Sequence, residues 1–319
     1  MVVVDDSRMP RRPVAPPTVH LARDVTAAHA RSLVRDGAWL RVRPGAYIDA
    51  PRGDAPPGDT RRAVALARTT ALARQSARSP TFSHTSAALL WGLPLVPGDR
   101  RIHVVQESRP GSSGDAGVVR HRIVLPGTHR THHRGLAVTT LERTVVDCLR
   151  SLPPLPGLVI ADAALHVGAD RDTCARMLDA MAGTRGIVKA RELLALADGG
   201  SESPGETRVR FEALRIGLPV PETQVCVQTG RSTWWADLGW VPWRLLVEYD
   251  GRDKYDGATT EALLRERRRQ DALEDSGWHV VRVMKEDLRD PALLRHRLLR
   301  HVPADARAAL VARRTLNSR

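Results

Sequence analysis

Two runs in the last third of the chain constrain the fold more than any other stretch: Trp234-Trp235-Ala236-Asp237-Leu238-Gly239-Trp240 and Leu245-Leu246-Val247-Glu248-Tyr249-Asp250-Gly251. Both are β-rich and Pro242 lies between them, so they predict a hairpin whose loop is Val241 to Arg244. That register sets Asp237 opposite Glu248, with Cβ atoms roughly 5 Å apart, and period-two alternation puts Asp250 on the face of Glu248. Carboxylates gathered in this way raise one another's pKa and call for a proton or a cation among them. An all-oxygen ligand set suits Mg2+ or Mn2+. A solvated acidic sheet face is the plain alternative, and the neighbours Trp235, Trp240 and Leu246 speak against it. A slip of one residue in register would send one acid to the other face.

Upstream, Ser203, Pro204 and Glu206 have the spacing of a capped helix start: an N-cap serine, proline at the first helical position and a glutamate three residues after the serine. Glu206 thus has two compatible readings, as a capping-box acid and as a further carboxylate delivered to a metal. Downstream, Lys254 follows Asp250 by four residues and is one of only three lysines among the 49 basic residues. A compact ammonium there could hold a water nucleophile or a phosphate oxygen. Thr259 to Ser276 predicts a helix crowded with Arg265, Arg267, Arg268 and Arg269. Gly277 ends it, Trp278 to Met284 reads as a strand, and Asp287 to Val302 as a closing helix.

The sequence of elements is therefore helix, three strands, helix, strand. With Glu202 to Glu206, Asp237, Val247 to Gly251, the Arg267 to Asp271 run and Gly277 to Val283, it resembles the PD-(D/E)XK nuclease superfamily. More closely, it is similar to an actinobacterial domain family of unassigned function related to the very-short-patch repair endonuclease. The resemblance covers roughly the last third of the chain. It implies an α-βββ-α-β core and metal-dependent hydrolysis of DNA phosphodiesters, with Asp237 and Glu248 as metal ligands. In that superfamily a lysine stands two residues after the acid; here the position is Asp250, leaving Lys254 to replace it, Asp250 to serve as a ligand, or the site to be degenerate.

The formal charge of +13 points to a polyanionic partner. From Ser201 onward there are 21 basic and 18 acidic residues, so most of the excess lies in front. Residues 1–19, rich in proline, are expected to be a disordered leader. Asp24 to Asp36 predicts an amphipathic helix with Val25, Ala28, His29, Ser32 and Leu33 near one stripe. The alternating run Ala38 to Ile48, turned at Pro44-Gly45, predicts a hairpin. A helix followed by a hairpin is how a partial winged-helix module presents itself, with Arg41 and Arg43 as exposed wing contacts to DNA. This part, Ser83 to Pro94 and Leu141 to Asp147 resemble the AbiEi-type antitoxins of type IV toxin–antitoxin systems. That resemblance implies a transcriptional regulator with a toxin partner, an alternative to the nuclease.

Arg101 to Gln106 and Gly117 to Leu125 read as paired strands around a Gly/Ser-rich turn. His121, His129, His132 and His133 invite a metal reading, but lack Cys, Asp or Glu at ligand spacing and read as loop histidines. His84 reads as a helix-start histidine. Leu158 to His166, Asp172 to Met181 and Ile187 to Ala197 predict short helices, and Asp198 to Ser201 a boundary. Three scattered cysteines suggest no disulfide framework, and no apolar run approaches a membrane span. The expected whole is an α+β or α/β cytoplasmic protein: leader 1–19, partial winged-helix module 20–58, antitoxin-like middle 59–200, endonuclease-like domain 201–302 and basic tail 303–319.

Overall fold

The computed structural model describes residues 17–51, 53, 56–96, 98–107, 115–230, 232–251 and 260–317. Lys254 and most of the expected leader lie outside them, as does the side chain of Arg265. The fold is mixed α/β, and the chain divides after Cys148 into two compact units.

The front unit begins with β1 (Val19–Leu21), α1 (Ala27–Arg35), β2 (Trp39–Arg43) and β3 (Ala46–Asp49). The three strands form an antiparallel sheet in the order β1-β3-β2. Thr26 caps α1 by accepting from the His29 N–H. Only Ala30 of this helix is buried, so the expected stripe is rotated: Ala28 and His29 face solvent. The following α2 (Pro57–Gln75) is apolar on two sides. Ala67 and Ala71 pack with Leu21, Val42 and Ile48, while Leu66 and Leu72 pack with Phe82, Leu90, Ile102 and Val138.

This second cluster covers a five-stranded sheet. After β4 (Thr81–Phe82) and α3 (His84–Leu90) come β5 (Ile102–Gln106), β6 (Val118–Arg122), β7 (Arg130–His133) and β8 (Leu136–Thr139), in the spatial order β6-β5-β4-β8-β7. Two expectations are corrected here. First, β5 and β6 pair in parallel, with Ile102 beside Val118 and Gln106 beside Arg122; a tight turn joins only antiparallel strands, and part of the connection, residues 108–114, lies outside the described residues. Second, His132 and His133 belong to a hairpin strand. Arg134 and Gly135 both take positive φ, which gives the two-residue turn between His133 and Leu136 the hand that matches strand twist.

Helix α4 (Leu141–Ser151) crosses the division. The rear unit then supplies α5 (Pro154–His166), α6 (Arg171–Ala180), α7 (Ile187–Leu196) and α8 (Pro204–Arg215), followed by β9 (Glu222–Thr229), β10 (Ser232–Trp240), β11 (Leu245–Asp250), α9 (Thr260–Asp275), β12 (His279–Met284), α10 (Pro291–Leu299) and α11 (Ala304–Ala308). No boundary falls at 198–201, because buried polar bonds cross it. Asp162 of α5 accepts from Arg210 Nη2 at 2.5 Å, Thr207 Oγ1 at 2.9 Å and the Asp198 N–H at 2.8 Å. Opening the chain there would strand a buried charge, at about 3–5 kcal/mol.

The rear sheet has the order β12-β11-β10-β9, antiparallel except for the parallel pair β11–β12. One face packs Leu238, Val247 and Val283 with Val209 of α8 and Leu294 and Leu298 of α10. The other packs Val225, Val227 and Leu246 with Leu273 of α9. The expected basic tail is not loose throughout: Leu316 is buried, and Arg313 donates its N–H to the Arg215 carbonyl at 3.3 Å. Among the described residues no helix is long and apolar enough to cross a membrane.

Candidate functional site

The rear site is built on the β10–β11 hairpin. Val241 to Trp243 form a single 3-10 turn and Arg244 closes it with φ 48°. The register pairs Leu238 with Val247 and Trp240 with Leu245, which carries Asp237 to the position opposite Glu248. At that point a side chain takes over from the ladder: Asp237 Oδ2 accepts the Tyr249 N–H at 2.7 Å.

Glu206 arrives from the start of α8, where the expected cap forms. Its N–H donates to Ser203 Oγ at 3.2 Å, and its own Oε2 accepts the Glu202 N–H at 2.8 Å. Gly205 lets this end of the helix settle on the sheet, because a Cβ there would fall inside the Tyr249 ring. Glu206 is buried. Burial, and after it the charge of Asp237, pushes its carboxyl up to about 7. The structure thus brings Glu206 and Asp237 into one electrostatic site.

Glu248 is differently placed. Its two oxygens are held by Arg269 of α9, with Nη1 at 3.1 Å from Oε2 and Nη2 bonded to Oε1, and Arg282 of β12 stands 3.8 Å away. Arg269 also donates to the Trp235 carbonyl at 3.3 Å and lies 5.7 Å over the Trp234 ring. Asp250 ends β11 half-buried, and Arg267 and Arg268 are exposed on α9. Among the described residues, the acids of this unit do not bring three ligand atoms within 4.8 Å of one another. Two carboxylates, Glu206 and Asp237, offer the oxygen donors that hard cations take. Glu248 is engaged by an arginine.

In the front unit Arg41 is exposed, but Arg43 is not the solvent-facing wing residue expected. Its Nη2 bonds Asp115 Oδ2 at 2.7 Å, its side chain is 13 % exposed, and burial lowers its pKa.

Sequence reasoning also missed a group of three histidines. The ligand atoms of His84, His103 and His121 all lie within 4.8 Å of one another. His103 Nδ1 is 2.9 Å from His121 Nε2, the His84 and His121 rings stack with centroids 3.6 Å apart, and His84 Nδ1 is 3.0 Å from Ser83 Oγ. Burial lowers His121 to about 4, helped by His103 and Arg101, and lowers His103 as well. Both rings are therefore neutral near pH 7. The available signal was that His103 and His121 each sit within a β-rich run, where a ring stands on a definite sheet face.

No family model matches the chain. Two uncharacterized proteins of Mycobacterium tuberculosis, Rv2248 and MT2308, are each 34 % identical to it over 171 residues, which is 53 % of this chain and 62 % of theirs. The match thus spans less than two thirds of the length of these relatives. The crystal structure of the RV2827C protein from the same species aligns with 60 % of this chain and 75 % of its own, at 20 % identity and a TM-score of 0.37.

Proposed function

We propose that the chain is a divalent-metal-dependent endonuclease that hydrolyses DNA phosphodiesters in its rear unit. The observation that carries the reading is the pairing of Glu206 with Asp237. A carboxyl pushed up by burial, and after it by a second carboxylate, is a site that gains from positive charge. The order helix, three antiparallel strands, helix, parallel strand supports a PD-(D/E)XK-type core. Asp237 and Glu206 would hold Mg2+ or Mn2+, which supplies an activated water and neutralises charge on the scissile phosphate. Tyr249 fixes Asp237 through its N–H. Arg269 holds Glu248 in place, Arg267 and Arg268 present charge to backbone phosphates, and Asp250 assists from the end of β11. Lys254, the sequence candidate for orienting the attacking water, enters on its position alone.

The clasp of Arg269 on Glu248 favours a second reading, in which the same fold is a non-catalytic DNA-binding regulator of the antitoxin kind. One experiment separates the two. Purified wild type and Asp237→Ala are incubated with plain duplex, mismatched duplex and single-stranded DNA, with Mg2+ or Mn2+. The nuclease reading expects cleavage by wild type, a loss of at least about 100-fold in the variant, and DNA binding retained by both. Equal binding without cleavage by either protein would overturn it and leave the regulator.

A further inference from the structure

We propose that the front unit binds one divalent transition-metal ion of the zinc class through His84, His103 and His121. The three side chains come from different elements, the start of α3, β5 and β6. In the parallel ladder His103 lies beside Val119 and Val105 beside His121, so the two strand histidines stand on one sheet face, one step apart along it. His84 completes the group from a left-handed backbone, φ 51°, a conformation uncommon outside glycine. It lays its ring on that of His121.

The ring nitrogens divide into an inner and an outer set. His103 Nδ1 and His121 Nε2 approach each other at 2.9 Å. On the outer side, Ser83 Oγ is 3.0 Å from His84 Nδ1. His103 Nε2, buried and without a hydrogen bond, faces Asp99 Oδ2 at 3.5 Å. A carboxylate behind a histidine is the arrangement that orients imidazole ligands on zinc.

The donor set decides the class of ion. Three imidazoles with no carboxylate or thiolate ligand suit Zn2+, Co2+, Ni2+ or Cu2+ and not Mg2+ or Ca2+. Three protein ligands leave a tetrahedral ion one position for water or an exogenous group. The site would also have a mechanical effect: among the described residues β6 is an edge strand laddered to β5 alone, and the ion would tie it to α3.

The test uses the full-length protein with excess Mg2+, which occupies oxygen sites. Titration with ZnCl2 is expected to give one ion per chain. Asp99→Asn should weaken binding about 10- to 100-fold, His121→Gln should weaken it further, and His132→Gln, exposed on β7, should leave it unchanged. X-ray absorption of the wild-type zinc form is expected to report nitrogen and oxygen neighbours with imidazole scattering and no sulfur. This measurement decides the matter even where a histidine variant fails to fold. Absence of stoichiometric zinc, a sulfur-containing shell, or a His121→Gln variant that folds and binds as wild type would each overturn the proposal.

Discussion

At the residue scale, Glu206 is a carboxyl held far from its ordinary behaviour. Its folded pKa, about 7, is raised above the usual carboxyl value by burial and by Asp237. The folded state therefore prefers the protonated form. Stability from this group is fully present below the unfolded pKa and is lost as pH rises towards 7. With a chelator present, wild type should lose about 3 kcal/mol relative to Glu206→Gln between pH 4.5 and 8. Glutamine keeps the carbonyl that accepts the Glu202 N–H, so the cap remains and only the charge is removed. Urea unfolding of both proteins at the two pH values measures the difference, and a gap that does not change with pH would refute the assignment. The cap itself was legible, since Ser203, Pro204 and Glu206 carry it within four residues. The arginine on Glu248 was not: it reaches across from another helix, 21 residues along the chain, and no local spacing announces it.

At the scale of elements, the hairpin of β10 and β11 could be read from its period-two pattern and Pro242, and its register followed from the loop length. The parallel pairing of β5 with β6 could not, because each strand's own pattern is the same whichever direction its neighbour runs. The histidine group depends on that pairing, and so stayed hidden as well. The seat of α8 on β11 is a further long-range contact, and it rests on one missing side chain. Gly205 lies against the Tyr249 ring so closely that a Cβ has no room. Gly205→Ala should therefore destabilise the protein by about 1–3 kcal/mol, the usual penalty of overpacking, although alanine is the better helix former. Tyr249→Leu in the same chain should restore part of the loss, giving a positive coupling in a double-mutant cycle. Additive effects in denaturant melts would mean that the two residues do not share the space.

At the scale of the whole molecule, the two units differ in charge more than in size. Residues 1–148 hold 22 basic and 12 acidic residues, whereas residues 149–319 hold 27 and 24. The division at 148 was not legible, because what joins α5 to α8 is the buried Asp162–Arg210 pair, and the glycines between them look like a linker. Once the division is known, the proposed DNA reading puts its electrostatic attraction chiefly on the front unit. A protein that neutralises phosphates releases counterions, and log K falls with log salt by about 0.9 per contact on duplex DNA. Arg41, Arg120 and Arg122 are exposed front-unit arginines on β2 and β6. Replacing all three by alanine should reduce the salt slope of duplex binding by up to about 3. Arg43, tied to Asp115, should change stability and leave the slope as it is. Arg295 and Arg300, exposed on and just after α10 of the rear unit, provide the control: their replacement should leave the slope within error. Fluorescence anisotropy with a fixed duplex over a range of salt reads all of these. An unchanged slope in the triple variant, or an equal fall in the rear-unit control, would mean that the front unit's charge serves something other than DNA.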